Sequence, residues 1–585
     1  MPFSPSFFLF LSSFFLLLHL SLSSPFNTSF FIDCGSPETS TDVFNRTWLP
    51  DQFYSGGSTA VVSEPLRFHL IAEKTIRYFP LSFGKKNCYV VPLPPGRYYL
   101  RTFTVYDNYD GKSHSPSFDV SVEGTLVFSW RSPWPESLLR DGSYSDLFAF
   151  IGDGELDLCF YSIATDPPIV GSLEVLQVDP SSYDADGTGQ NVLLVNYGRL
   201  SCGSDQWGPG FTNHTDNFGR SWQSDEDFRS EDSRSVARSL STLEKIKGVD
   251  QAPNYFPMKL YQTAVTVSGG GSLVYELEVD AKLDYLLWFH FSEIDSTVKK
   301  AGQRVFDLVV NDNNVSRVDV FHEVGGFAAY SLNYTVKNLS STIVTVKLSS
   351  VSGAPIISGL ENYAIVPADM ATVPEQVTAM KALKDSLRVP DRMGWNGDPC
   401  APTSWDAWEG VSCRPNSQGS ALVIFQIDLG SQGLKGFISE QISLLTNLNS
   451  LNLSSNTLSG QLPLGLGHKS LVSLLLNGNE LQGKVPEEVY SVGVHGGIID
   501  LSGNKGLCGV PSLPTCPLLW ENGHLSKGGR HDYDFAPPHD LTCDASSKEK
   551  QIPEAKVVDA TGNGEPTRER NAHSSTEFAI AEKEK

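Results

Sequence analysis

The chain has 585 residues, of which 11% are aromatic and 19% charged, with a formal net charge of -23 at pH 7. That length gives room for three or four domains of ~100–200 residues, and the aromatic content places most of the chain among folded proteins. The acidic balance argues against a nucleic-acid partner, which would favour a basic face, and identifies no ligand by itself.

Residues 1–24, "MPFSPSFFLFLSSFFLLLHLSLSS", hold an apolar stretch from Phe7 to Leu20. It is too short and too broken by serine for a spanning helix, which needs ~20 apolar residues. Ser21-Leu22-Ser23 offers a small-x-small cleavage site, so the segment reads as a secretory signal peptide although no Lys or Arg precedes it. Seven N-x-Ser/Thr triplets follow, at Asn27, Asn45, Asn213, Asn314, Asn333, Asn338 and Asn452, as expected for a glycosylated extracytoplasmic chain. Nine cysteines suit an oxidising compartment but are too sparse for a disulfide-built scaffold. Their spacing shows no paired C-x-x-C, so a zinc site has little support; no metal is expected, and no cofactor.

From Phe30 to about Pro367, short β-prone runs alternate with Gly, Pro, Asn and Asp turns, as in "NCYVVPLPPGRYYLRTFTVYDNYDG". Helical periodicity is nearly absent, which predicts all-β sandwiches. The region repeats internally. "YYLRTFTVYDNYDGKSHSPSFDVSVEG" lines up with "DYLLWFHFSEIDSTVKKAGQRVFDLVVND", and "FIDCGS" with "RLSCGS". Two tandem copies of one sandwich follow, at 25–180 and 188–368.

The motifs "FIDCGS", "IRYFPL", "NCYVVPLPPGRYYLR", "YDNYDG" and "SFDVSVEG" resemble the malectin-like region of plant receptor kinases and receptor-like proteins. "YLLWFHFSEI" with "GQRVFDLVVN" resembles the core strands of the malectin fold. The resemblance implies two jelly-roll-like domains side by side, related to carbohydrate-binding modules. Sugar sites need aromatic faces with polar groups nearby. In animal malectin, aromatics after an "FAE"-type strand contact a glucose disaccharide. The second copy has Asp295-Ser296 there, without aromatics, whereas the first has Tyr106, Asp107, Asn108 and Tyr109. These four are the candidate sugar site, against the plainer reading that the tyrosines pack a loop and Asp110-Gly111 makes its turn. Tyr261 in "KLYQT" resembles another family position that faces ligand, against plain burial. Plant members of the family often bind secreted peptides or proteins, so the ligand class stays open.

The β pattern stops near Val366, and "VPEQVTAMKALKDSLRVP" predicts a helix. Thr372 and Glu375 form a capping box, Val377, Met380, Leu383 and Leu387 make an apolar stripe, and Pro390 ends it. Next, "GWNGDPCAPTSWDAWEGVSC" is rich in tryptophan. Helix and segment together resemble the N-terminal cap of plant leucine-rich repeats, covering 372–420. The resemblance implies that Trp395, Trp405 and Trp408 cover the open end of a repeat stack, stapled by a Cys400–Cys413 bridge.

Residues 421–507 carry about four turns of L-x-L-x-x-N-x-L-x-G-x-(I/V/L)-P, as in "LNLSSNTLSGQLP", a leucine-rich repeat of the plant type. Asn456, Asn479 and Asn504 recur at the ladder position, with Gln432 in the equivalent place of the first turn. Outward strand positions Asp428, Gly430, Asn452, Ser454, Leu475, Asn477, Asp500 and Ser502 form a candidate protein-partner face, small and polar, with few anchors of the hot-spot kind. In 508–516, Cys508 and Cys516 resemble a C-terminal cap pair. Cys34, Cys88, Cys159 and Cys202 can pair or stay free, and Cys543 is the odd one.

Residues 517–585 read as a disordered tail with no apolar run near ~20 residues and no GPI signal. Receptor-like proteins of this plan carry a transmembrane helix soon after the cap, and "GRHDYDFAPPHDL" resembles the start of their cytosolic tail. The missing span is expected to reflect alternative splicing or a gene-model error. No kinase, G-x-S-x-G, H-E-x-x-H or Walker motif is present, and the binding folds leave no segment for a catalytic domain. The chain thus reads as a mostly β extracellular recognition protein without enzyme activity. Its expected partners are a cell-wall glycan or secreted peptide and a receptor kinase, at the plasma membrane by family and extracellular by this sequence. The rivals are a soluble apoplastic binding or decoy protein and, further off, a carbohydrate-active enzyme.

Overall fold

The computed structural model describes residues 28–516 except 63–71, 73, 185–190, 213, 269–270 and 402–406. The expected signal peptide, Asn27, Asn213, Trp405, Cys543 and the tail 517–585 lie outside the described residues.

The alternating runs form strands because one side of each buries apolar residues while the other meets a second layer. The first copy contributes β1 (Ser29–Asp33), β2 (Lys86–Pro92), β3 (Gly96–Thr104), β4 (Phe118–Val122), β5 (Thr125–Trp130), β6 (Ser143–Ile151), β7 (Glu155–Ser162) and β8 (Ser172–Val178). The second contributes β9 (Val192–Ser201), β10 (Ala237–Ser241), β11 (Thr263–Val267), β12 (Ser272–Glu278), β13 (Asp284–Ser292), β14 (Val305–Val310), β15 (Asn313–Val318), β16 (Ala329–Val336), β17 (Ile343–Ser352) and β18 (Gly359–Pro367). Smaller sheets β2-β7-β4-β5 and β12-β17-β14-β15 form the opposing layers. The chain is mostly β, as its sequence pattern predicts.

The two copies are not merely adjacent. Strands β1-β8-β3-β6 continue into β9-β18-β13-β16 as one sheet of nine strands, the ninth being Gln223–Ser224 beside β9. The seam is narrow: Leu147 pairs with Val195 and Phe148 with Leu194. One apolar core runs through both halves, from Ile32 to Val366.

The outer face of the shared sheet carries a row of alternating charges. Glu174 lies opposite Arg101, and Arg101 opposite Asp146. Across the seam, Arg199 lies opposite Glu361. Arg101 Nη2 donates to Glu174 Oε1 (2.7 Å). Arg199 Nη2 donates to Asp146 Oδ1 (3.1 Å) and its Nε to Glu361 Oε2 (3.1 Å). His290 Nε2 meets Glu361 Oε1 at 2.9 Å, while Tyr261 Oη lies 2.9 Å from His290 Nδ1. With Tyr261 donating, His290 is the neutral Nε2–H tautomer, which fits a ring whose protonation burial disfavours. Burial alone would raise the Glu361 carboxyl, but His290, Arg199 and Arg220 outweigh it and hold it at about 2. The segments around Tyr183, Arg220 and Phe256 cover the row, and Arg220 donates to Asp216 (2.6 Å) and to the Tyr183 hydroxyl (2.6 Å).

Cys88 and Cys159 form a disulfide between β2 and β7, whereas Cys34 and Cys202 are buried free thiols at equivalent places of the two copies. Cys400–Cys413 and Cys508–Cys516 are bonded.

Helix α1 (Pro374–Leu387) buries Met380, Leu383 and Leu387. Its start differs from the capping box read in the sequence. Val373 is the N-cap, with no side-chain cap bond and Pro374 in the first turn. Thr372 instead donates to Asp398 Oδ1 (2.5 Å), so its hydroxyl pins the following loop. Beyond α1, β19 (Val411–Pro415) and the strands β20 (Leu422–Asp428), β21 (Ser450–Asn452), β22 (Ser473–Leu475) and β23 (Ile498–Asp500) form a five-stranded sheet, parallel from β20 onward. Inward leucines of successive coils make a second core. Asn456, Asn479 and Asn504 are buried, each bonding backbone of its own coil and the one before; Asn456 Nδ2 donates to the carbonyls of Leu429 and Leu453.

The coil stack is clamped to the first sandwich. Lys86 Nζ donates to the carbonyls of Asp398 (2.7 Å) and Ala401 (2.9 Å), and Asn396 Nδ2 returns a bond to the Lys86 carbonyl (2.9 Å). Lys381 pairs with Glu155. Gly397 sits so close to the Cys88–Cys159 bridge that a Cβ there would lie 2.7 Å from Cys159 Sγ. Beside it, Asp157 keeps one carboxylate oxygen buried without a hydrogen-bond partner, and burial raises this carboxyl to about 7, Lys86 lowering it only in part.

Two outcomes follow from these buried charges. Glu361→Ala takes one of two carboxylates from Arg199 and the acceptor from His290, Tyr183 and Tyr363, and should cost about 3–5 kcal/mol of stability, seen as a lower melting temperature in thermal unfolding. An acid whose pKa is raised on folding, as Asp157 is from 3.8 to about 7, stabilises the fold fully below the unfolded value. That contribution is lost as pH rises towards 7, so Asp157→Asn should flatten the fall in melting temperature between pH 4 and 7. An identical slope in wild type and variant would refute it.

Candidate functional site

The first candidate is the loop after β3. Asp107 and Asn108 take left-handed backbone angles (φ 41 and 50°), which turn the chain back towards Leu139. Tyr106 is only 4% exposed. Its hydroxyl donates to Asp110 Oδ1 (2.6 Å), and its ring meets Tyr109 and Trp134 edge to face at 5.7 and 6.2 Å. Burial and the neighbouring Asp110 push its phenol pKa up. Tyr109 is half-buried against Tyr78 (4.9 Å), its hydroxyl without a partner among the described residues. The structure does bring Tyr106, Asp107, Asn108 and Tyr109 together, but the Tyr106 ring faces inward and the open rim is Asn108 and Asp110. Tyr261 follows the plainer of its two readings, burial: it is 1% exposed in the core, its hydroxyl 2.9 Å from His290 Nδ1.

The second candidate is the open face of the coil stack. Strand register sets its outward side chains in rows. Gln426, Ser450, Ser473 and Ile498 make one; Asp428, Asn452, Leu475 and Asp500 make the next. Ser454 and Asn477 continue the face beyond the strands. Asp428 is exposed and the others partly so, except Ile498, which is 63% exposed. Asn452 Nδ2 donates to Asp428 Oδ1 (2.8 Å), and its Oδ1 accepts from Ser454 N and Oγ. The row is therefore preorganised, carboxylates at both ends and a leucine between. Asn45, Asn314, Asn333 and Asn338 are exposed, and Asn452 is half-buried in the row itself.

A third feature escaped the sequence reading. A polar groove of about 750 Å³ opens on the second copy, walled by Ser204, Asp205, Ser224, Glu226, Ser239 and Lys259. Five separate stretches of chain build it, so no local motif announces it. The one available signal was "MKLYQT", where Lys259, not Tyr261, is the residue that reaches the surface. Among the described residues no group of three or more His, Cys, Asp or Glu is arranged to hold a metal ion.

A malectin-like domain matches residues 32–365. Receptor-like protein 4 of Arabidopsis thaliana is 36% identical over 462 residues, covering 76% of this chain and 71% of that protein. The probable LRR receptor-like serine/threonine-protein kinase PAM74 of Arabidopsis thaliana is 27% identical over 434 residues, 72% of this chain but 46% of the kinase. The chain thus spans about half the length of such kinases. Among solved structures, the plant receptor-like kinase FER shares the fold, with TM-score 0.50 at 20% identity over 58% of this chain and 96% of that one.

Because the Tyr106 ring is packed, Tyr106→Ala should destabilise the first sandwich by about 3–5 kcal/mol, as loss of a buried aromatic does. Tyr106→Phe should cost about 1 kcal/mol through its lost hydrogen bond. Chemical denaturation of both variants checks this; a fully stable alanine variant would put the ring back at the surface.

Proposed function

The chain belongs to the malectin-like family, among the receptor-like proteins built on that domain, and from that premise we propose that it is a non-enzymatic extracellular recognition protein of the plant cell surface. In this reading residues 25–180 and 188–368 form the paired sandwiches, 372–420 the cap, and 421–507 a leucine-rich-repeat solenoid closed by 508–516. It works by binding, with a receptor kinase as signalling partner. No helix among the described residues is long and apolar enough to cross a membrane.

The observation that carries this reading is the preorganised row Asp428, Asn452, Leu475 and Asp500 on an open sheet, next to the exposed Ile498. An apolar centre between charged ends is the pattern of a protein interface, with a dry core and a polar rim. A standard interface buries ~800 Å² per partner, so in this reading the short repeat face shares the partner with the first sandwich clamped beside it. A cell-wall glycan has weaker support, because the Tyr106 and Tyr109 rings are engaged with each other and with Trp134.

Surface plasmon resonance of the glycosylated full chain against receptor-kinase ectodomains tests the proposal. Asp428→Lys combined with Asp500→Lys should weaken the bound partner by roughly tenfold or more, about 1.4 kcal/mol, without lowering the melting temperature. Equal affinity of variant and wild type would remove the repeat face from the site.

A further inference from the structure

The groove on the second copy lies along an unpaired strand edge. β10 pairs with β11 on one side and is the outermost strand of its three-stranded sheet. Val236 O accepts from Ser268 N and Thr242 N donates to Gln262 O, which fixes the phase of the ladder. In an antiparallel pair alternate residues make the cross-strand bonds. Arg238 and Leu240 therefore bond to β11, while Ala237, Ser239 and Ser241 point N–H and C=O away from it. The Ala237 N–H is taken by the Ser233 carbonyl. The outward groups of Ser239 and Ser241 have no partner among the described residues. No proline interrupts "ARSLS" and its register with β11 is unbroken by a bulge, so the one edge protection β10 carries is the exposed charge of Arg238.

Side chains around the groove are charged and mostly unmatched. Lys259 is half-buried over the Trp207 ring, its Nζ 5.0 Å from the centroid. Among the described residues it has no carboxylate partner, and burial by itself lowers its pKa. Asp205 and Glu226 also line the groove and have no ion-pair partners among the described residues, whereas Arg229 is committed to Asp225. A desolvated ammonium without a counter-ion costs free energy that a bound carboxylate recovers.

We propose that this edge and groove bind an extended polypeptide segment carrying an acidic side chain, which adds to β10 as a further strand and places its carboxylate on Lys259. The proposal rests on reading the chain as a recognition protein. β-strand addition supplies affinity through main-chain bonds and specificity through alternate side chains. Five residues of β10 span roughly 17 Å, enough for a partner of five or six residues. A sugar fits less well, because no Phe, Tyr or Trp is among the lining residues and the neighbouring Trp207 is 1% exposed, leaving no large ring face on which to stack.

The test uses the full glycosylated chain and an immobilised positional-scanning library of acetylated hexapeptides, with an oligosaccharide array alongside. The expected result is capture of hexapeptides enriched in Asp or Glu at one position, lost on N-methylation of alternate backbone amides. Ser239→Pro removes an outward N–H while sparing the bonds to β11, and should abolish capture. Lys259→Gln should weaken acidic hexapeptides at least tenfold and their Asn or Gln counterparts little; it stands as the second variant if the proline disturbs folding. No capture, capture indifferent to N-methylation, or capture unchanged by Lys259→Gln would overturn the proposal, as would Lys259-dependent binding confined to the oligosaccharide array. Capture is read without any receptor kinase, so its failure is distinguishable from failure of the repeat-face reading.

Discussion

The row of buried charges across the shared sheet is the constraint on which the architecture depends. An ionised group taken from water costs several kcal/mol unless an opposite charge and further hydrogen bonds meet it. Here Glu174, Arg101, Asp146, Arg199 and Glu361 alternate in sign across successive strands, with Tyr99 donating to Asp146 and Tyr183, Tyr363 and His290 to Glu361. A slip of one residue in any strand would turn its charge into the apolar core. This is how a seam of only two paired residues can fix the two copies in one register. The charges are better understood as specifying that register than as adding net stability, since an apolar row could bury the same area.

The junction with the coil stack uses the same physics on a smaller scale. Lys86 directs its ammonium at two backbone carbonyls of the loop after α1, and Asn396 answers with a bond to the backbone of Lys86. Such reciprocal bonds orient as well as attach. Gly397 lets that loop touch the Cys88–Cys159 bridge, and Gly436 lets the first coil meet the end of α1, where any Cβ would collide with the Ser386 carbonyl. The repeat face and the sandwiches are thereby held in one arrangement, as the shared interface in the proposed function requires.

Much of this was legible in the sequence wherever a local period carries the information. Alternating apolar residues gave the strands, and the spacing of Asn456, Asn479 and Asn504 gave the coils, because each is a repeated local requirement of hydrogen bonding or burial. Legibility ended where a distant residue decides. Thr372 has the chemistry of a helix cap, but Asp398, folded back from beyond the helix, takes its hydroxyl. Tyr106 and Tyr109 have the chemistry of a sugar platform, but Trp134 and Tyr78 occupy their faces. Which side of a ring is free is a property of packing, and no pattern within "VYDNYDG" encodes it. The groove was invisible for the same reason, being assembled from segments that meet only in the fold.

The two copies place their buried charges on different strands, and the difference falls at the seam. Glu174 in "SLEV" and Glu361 in "GLEN" occupy equivalent places on the last strands β8 and β18. Their arginines do not correspond. Arg101 stands on β3, the central strand of its copy, whereas Arg199 stands on β9, the strand that forms the seam. On the second copy's equivalent of β3, His290 reaches the same glutamate as a neutral donor. Placing the cation on β9 lets one guanidinium serve Glu361 in its own copy and Asp146 in the other. Had it stayed on the central strand, each glutamate would be satisfied within its own sandwich, and Asp146 would keep little beyond the Tyr99 hydroxyl. The placement of a single arginine on the seam strand thus makes the two sandwiches halves that complete each other's electrostatics.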